Sequence, residues 1–234
     1  MKYFSSVEKI GDIVARFPKA SDVFKRYNID FCCGGNRPLI EAINEQRLSE
    51  GKILGELNSL YEEYINKEDK DVDWTKASWS ELIDHVVNTH HAYLNSELPK
   101  LSQLVTKILR AHGVNHGEVL TRVHKLFHSL KADLEQHLIK EEEMLFPMIK
   151  KYEESGEIEL KERIIKVIDE TEDEHDGAGN IIKELRRITD GFTVPADGCT
   201  TFRLTYDKLK ELESDLFQHI HLENNILFPS VRAK

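Results

Sequence analysis

The stretch His137-Leu-Ile-Lys-Glu141-Glu-Glu-Met-Leu145-Phe146-Pro147 recurs 82 residues further along the chain (219 minus 137) as His219-Ile-His-Leu-Glu223-Asn-Asn-Ile-Leu227-Phe228-Pro229. In each copy a His and a Glu stand four residues apart, which puts an imidazole and a carboxylate on one face of a helix. Each copy then reaches a Pro, which predicts that the helix ends close to it. A repeat of this kind indicates two similar helical hairpins, which together can enclose metal ions in the core of a bundle.

Two further histidines, His91 and His175, recur at nearly the same interval, 84 residues apart. Both His-x-x-x-Glu motifs continue the apolar stripe of their helices, so their side chains are expected to face the core. An ionised carboxylate on a core face is costly unless it is paired or binds a metal. Imidazole and carboxylate ligands suit iron, with manganese or zinc as lesser alternatives. The pattern predicts two metal ions and six ligands: His91, His137, Glu141, His175, His219 and Glu223. At this point the neighbouring His90 stays an alternative to His91.

A ferritin-like carboxylate site is the competing interpretation of the same helices. That class of site uses the motif Glu-x-x-His twice. Here Glu172 and His175 fit the motif once, whereas Leu134 and Leu216 occupy the matching positions before His137 and His219. The ferritin-like interpretation therefore fails.

Charge and composition exclude several other classes of protein. The 234 residues carry a formal net charge of −10, with a pI of about 5.6, and nonspecific nucleic-acid binding needs a basic surface instead. No apolar run approaches the roughly 20 residues that span a bilayer, so no membrane partner is predicted. The first residues lack the apolar core of a signal peptide. Three cysteines are too few for a disulfide scaffold, and we expect a cytoplasmic protein.

Helical periodicity runs through the whole chain and predicts an all-α fold in two domains. Residues 1–70 are expected to form a small helical domain, and a charged linker follows at 66–73. Residues 75–234 are expected to form an up-down four-helix bundle, whose first helix begins at the capping box Ser78-x-x-Glu81. Gly156 separates the second helix from the third, and residues 190–199 form the longest loop.

The cysteines allow two interpretations. Adjacent cysteines such as Cys32 and Cys33 are often small buried apolar residues. As a functional site, a thiol pair before Gly34 and Gly35 at the entrance to a helix would have a lowered pKa, and would bind a soft metal or undergo redox chemistry. Cys199 is expected to be structural.

These residues together resemble a known family. The sequence Tyr27-x-x-Asp30-Phe31-Cys32-Cys33-Gly34-Gly35, followed by His137-Leu-Ile-Lys-Glu141, Glu174-His175-Asp176 and His219-Ile-His-Leu-Glu223, is similar to that of the di-iron iron–sulfur cluster repair proteins. The resemblance covers nearly the whole chain. It implies a hemerythrin-like bundle behind a small Cys-Cys-Gly-Gly domain. Matching motif to motif puts the iron ligands of the family on the six residues named above, and it selects His91 over His90.

The resemblance also implies a role in restoring iron–sulfur clusters damaged by nitrosative or oxidative stress, with damaged iron–sulfur proteins as partners. The cofactor it implies is a non-heme di-iron centre; whether an oxo or hydroxo group bridges the ions stays open. The alternatives are a hemerythrin-like protein that binds or senses O2 or NO, and an NO reductase at the same centre. The Cys32–Cys33 domain favours repair, since a simple carrier has no need of it. The sequence leaves open whether the chain forms a homodimer.

Overall fold

The computed structural model describes residues 3–66 and 72–234, so most of the predicted linker at 66–73 falls on residues outside the described part. Within these ranges the chain is helical, and its only extended pairing is an isolated bridge between Lys9 and Pro38. The predicted all-α fold class is confirmed. The chain divides into two compact units, Met1–Leu82 together with Gln218–Lys234, and Ile83–Phe217.

The first unit contains the N-terminal helices. They are α1 Ile10–Arg16, α2 Ala20–Arg26, α3 Leu39–Glu45 and α4 Glu50–Ile65, as expected of a small helical domain. Phe17 and Phe24 are fully buried between these short helices, with Leu39 and Leu57. Helix α5, Trp79–Val86, begins at the predicted capping box, because the Ser78 amide donates to Glu81 Oε2 at 2.9 Å and the Glu81 amide donates to Ser78 Oγ at 3.2 Å.

The second unit contains four long antiparallel helical stretches. The first two belong to α6, Ala92–Lys140, which is interrupted at His116, where the backbone leaves the helical region (φ −127°, ψ 21°). The chain reverses there, since hydrogen bonds join residue 106 to 124 and residue 102 to 128. The later helices are α7 Phe146–Ser155, α8 Ile158–Ile188 and α9 Thr200–Leu222, the last of which crosses the boundary between the units at 217–218.

Polar contacts close these stretches into a ring. Arg122 Nη2 donates to Glu184 between the second stretch and α8, and Arg186 Nε donates to Glu213 between α8 and α9. The first stretch and α9 are joined by His90 with Asp215 and by Glu97 with Lys208. Residue numbers rise on one helix and fall on the other between the first stretch and α9. They do the same between the second stretch and α8, where Arg122 contacts Glu184 and His137 contacts Glu174. The predicted up-down four-helix bundle is therefore confirmed within this unit.

In the part of the chain that the structure describes, three π-helical segments interrupt the α-helices: Val87–His91, Glu141–Leu145 and Glu223–Leu227. Two of them occupy the same place in the two repeated motifs, directly before Phe-Pro. Pro lacks an N–H and clashes with the carbonyl four residues earlier in a regular α-helix, whereas the wider π turn changes the hydrogen-bonding register ahead of it. The helices therefore continue as α7 and as α10, Phe228–Ala233, with the Pro in the first turn. Neither helix breaks at its Pro: the first continues to Ser155, and the second continues to Ala233, four residues after Pro229.

No helix within the described residues has the length and apolar composition needed to cross a membrane. The cytoplasmic location stays a prediction.

Candidate metal centre

Four of the six predicted ligands lie close together inside the second unit, which contains the helical bundle. His91, His137 and His175 are at most 4% exposed, and Glu141 is fully buried. Glu141 Oε2 lies 3.3 Å from His91 Nε2 and 3.2 Å from His137 Nε2. One carboxylate oxygen thus faces the Nε2 atoms of two imidazoles.

The third imidazole joins the same group. His175 Nε2 lies 3.1 Å from His137 Nε2, and ligand atoms of His137, Glu141 and His175 all lie within 4.8 Å of one another. Two imidazole lone pairs at this distance repel each other unless a proton or a cation lies between them. Neutral imidazole and ionised carboxylate are the forms that bind metal, so the donor set fits a cation such as iron.

Carboxylates on the outer side of the histidines orient the rings. His137 Nδ1 lies 2.9 Å from Glu174 Oε2, and His91 Nδ1 lies 2.8 Å from Glu142 Oε1. With Nδ1–H donating to a carboxylate, Nε2 keeps its lone pair and points toward Glu141. The hydrogen bond from His137, followed by that from Lys140, lowers the pKa of Glu174 to about 2, so this carboxylate stays ionised. Sequence reasoning missed the roles of Glu142 and Glu174, and their positions in the sequence carry no signal of them.

The π-helical segments adjoin this group. His91 is the last residue of one segment and Glu141 is the first residue of the next. A π turn shifts the side chains that follow it relative to a regular helix, and such segments are frequent at functional sites. His90, the sequence neighbour of His91, faces elsewhere, with its Nδ1 2.9 Å from Asp215.

The remaining two predicted ligands lie on the last helical stretch, in the first unit. His219 and Glu223 are both fully buried, and His219 Nε2 lies 3.1 Å from Glu223 Oε1. Glu223 begins a π-helical segment, as Glu141 does. The second copy of the motif therefore reproduces the local geometry of the first.

The same helix holds the Cys-Cys-Gly-Gly loop of the first unit. Asn225 Nδ2 donates to the carbonyl oxygens of Cys32, at 2.9 Å, and Phe31, at 3.3 Å. A methyl group added at Gly11 or Gly35 would overlap Asn225 Oδ1, so both positions need glycine. His221 is also buried here with its ring against Phe31, and burial lowers its pKa to about 4.

The thiols differ from the expectation of a lowered pKa. Cys32 is 1% exposed, and burial, followed by the neighbouring Cys33, raises the pKa of its thiol well above the usual value. Cys199 is exposed and lies directly before α9, with its Sγ 3.2 Å from His112 Nε2. That hydrogen bond is the largest cause that lowers the pKa of Cys199 to about 7. The expectation of a low pKa was therefore wrong for Cys32, and the lowered pKa belongs to Cys199.

Alkylation by iodoacetamide is accordingly expected to be fast at Cys199 and slow at Cys32. Because the thiolate is the nucleophile, the rate at Cys199 should rise as the pH rises through about 7. The measurement is mass spectrometry of labelled peptides after short exposures between pH 5 and pH 9. His112→Ala is the control, and it should move the midpoint upward toward the ordinary thiol value. Faster labelling of Cys32 than of Cys199 would contradict the geometry.

Comparison with known proteins places these features in a family. Residues 82–231 match the hemerythrin HHE cation binding domain, and residues 6–61 match a domain of unknown function (DUF542). The chain is 37% identical to a probable iron–sulfur cluster repair protein of Haemophilus influenzae, over 96% of each chain. It is 36% and 35% identical to the iron–sulfur cluster repair proteins YtfE of an Enterobacter species and of Shigella boydii, over 97% of each chain. The chain therefore belongs to the iron–sulfur cluster repair proteins and contains the hemerythrin HHE cation binding domain.

Proposed function

We propose that this protein binds two iron ions and supplies iron to iron–sulfur clusters damaged by nitric oxide or oxidants. The observation that carries the proposal is the buried group of three imidazoles around Glu141. In two of these rings, His91 and His137, the Nδ1 atom is hydrogen-bonded to a glutamate. Iron suits imidazole and carboxylate donors. The relatives named as repair proteins match this chain over nearly its whole length, which supports damaged iron–sulfur proteins as the partners.

The proposed ligands are the three residues of each repeat. Both repeats contain an isolated His and a His-x-x-x-Glu motif, and the motif pairs have similar separations of 3.2 Å and 3.1 Å. A set of four imidazoles and two carboxylates is enough for two ions that share the carboxylates. The proposed ligands are His91, His137, Glu141, His175, His219 and Glu223.

The protein groups around the site have separate tasks in this proposal. Glu142 and Glu174 hold the Nδ1 protons of His91 and His137, so that both Nε2 atoms stay available to the cation. When bound, iron would provide a Lewis acid and one-electron redox centre for a small ligand such as O2 or NO, and it is also the cargo delivered to the client. Cys32 and Cys33 are proposed to supply the thiol groups that take part in repair.

A reconstitution assay tests the proposal. Iron-loaded protein is mixed under anaerobic conditions with a cluster enzyme that NO has inactivated, and the recovery of that enzyme's activity is followed together with the iron left on this protein. We expect recovery in step with iron loss, and none with iron-free protein. An equal amount of free ferrous salt is the control. Recovery no better than with the salt would argue against a role in repair, as would recovery that leaves the iron content unchanged.

A further inference from the structure

We infer that Asp30, Cys32 and Cys33 form a second, exchangeable site for a thiol-preferring divalent cation, separate from the six proposed iron ligands. Ligand atoms of these three residues all lie within 4.8 Å of one another, inside the first unit. Two thiols and one carboxylate prefer Fe2+, Zn2+ or Co2+ over Mg2+ or Ca2+, which select oxygen ligands. That the natural cation is Fe2+ in transit rests on the function proposed above.

The distances fit a shared cation better than a disulfide. Cys32 Sγ and Cys33 Sγ lie 3.8 Å apart, and two thiolates on a tetrahedral ion with metal–sulfur bonds of about 2.3 Å stand about 3.8 Å from each other. A disulfide would have to bring the sulfurs to about 2.05 Å, although neighbouring Cα atoms are closer together than most disulfides allow. Asp30 Oδ1 lies 3.2 Å from Cys32 Sγ, within a few tenths of an ångström of the sulfur–oxygen separation expected on such an ion.

The loop is held in this arrangement from two sides. The amide of Cys32 donates to Asp30 Oδ1 at 3.1 Å, which fixes the carboxylate beside the thiol. Asn225 holds the carbonyl of Cys32, and the amide of Gly11 donates to the carbonyl of Gly35 at 2.8 Å. Three ligands fixed before a cation arrives lower the entropy that binding must overcome.

Exposure and protonation suit a site that both accepts and releases a cation. Cys32 is buried, whereas Asp30 and Cys33 are half-buried, so a cation reaches the group from the solvent side of Cys33. A cation binds the thiolate form and so has to displace the thiol protons, which makes binding pH-dependent and reversible. Three protein ligands leave a fourth tetrahedral position for a group from a client.

Anaerobic titration of the iron-loaded full-length protein with Co2+ tests this inference. We expect one additional cobalt per chain with sulfur-to-cobalt charge-transfer absorption and unchanged iron content. Cys32→Ser/Cys33→Ser should lose the absorption and keep its iron, and Asp30→Asn should bind Co2+ at least about tenfold more weakly. Cys199→Ser is the matched control. Cys199 lies beside His112 and is a competing candidate for cobalt binding, but it does not belong to the proposed site. The variant should therefore keep the absorption.

Each other outcome overturns the inference. Absence of the absorption in the unmodified protein at millimolar Co2+, its persistence in the double variant, or its loss in Cys199→Ser would each exclude the Asp30–Cys32–Cys33 site. The proposed function and this inference can fail independently of each other. Repair without the cobalt absorption would leave repair standing, whereas the absorption in a protein that repairs no cluster would leave only the second site.

Discussion

Glu141→Leu is expected to remove almost all of the two iron ions per chain that we propose for the unmodified protein. Glu141 is fully buried, and a single oxygen of its carboxylate faces both His91 and His137. The substitution therefore removes a proposed ligand that faces two imidazoles, and Leu fills a similar volume without a donor atom. Iron is measured by elemental analysis after anaerobic loading, and Mössbauer spectroscopy distinguishes a paired centre from single ions.

Glu143→Leu is the matched control for this substitution. Glu143 lies in the same π-helical segment and carries the same side chain, but it is exposed, so its replacement should leave two ions bound. Glu142→Gln should fall between the two, with iron affinity about 10- to 100-fold lower, because it weakens the hydrogen bond that orients His91. Two ions retained by Glu141→Leu, or one ion in the unmodified protein, would exclude the proposed ligand set.

The double variant Cys32→Ser/Cys33→Ser is expected to keep its two iron ions and lose most of its repair activity. Neither thiol belongs to the six proposed ligands, and a Ser hydroxyl at position 32 still donates to Asp30, so the loop keeps a hydrogen bond there. The substitution removes thiol chemistry and leaves the shape nearly unchanged. Iron content, the di-iron spectrum and recovery of an NO-damaged cluster enzyme are measured on the same preparation.

Cys199→Ser serves as the control for this second prediction. It removes the thiol with the lowered pKa and should repair clusters as well as the unmodified protein does. Loss of repair in Cys199→Ser, with repair kept in the double variant, would assign the thiol chemistry to Cys199 and not to Cys32 and Cys33. Full repair by the Cys32→Ser/Cys33→Ser variant would reduce that pair to packing residues and favour the O2 or NO carrier or sensor instead.

The helices and the bundle topology were predictable because they depend on short-range periodicity. The stripe of apolar residues that includes Leu130, Leu134 and Leu138 shows a helix with one buried face, and the structure buries all three. The repeated motif also showed that His137 and Glu141 stand on this face. Each of these inferences concerns residues within one or two turns of each other, where sequence spacing determines geometry.

The rest depends on contacts between distant parts of the chain. Glu174 of α8 contacts His137 of α6, and Asn225, near the C-terminal end of the sequence, contacts Cys32 near its beginning. No local pattern separates Glu174 from the other glutamates around it. The π-helical segments did have a signal that was misread, because an apolar stripe that continues past Phe-Pro indicates a helix that accommodates its Pro. The pKa of Cys199 depends on His112, which is 87 positions away.

The close fit of Asn225 against Gly11 and Gly35 constrains how this family can diverge. A side chain at position 11 requires a smaller residue at 225, whereas a side chain at position 35 would also overlap the carbonyl oxygen of Phe31, whatever stands at 225. Positions 11 and 225 should therefore covary in an alignment of homologues, although 214 residues separate them (225 minus 11), and position 35 should stay glycine. A protein engineer who grafts the Cys-Cys-Gly-Gly segment onto another helical scaffold would have to transfer the asparagine with it.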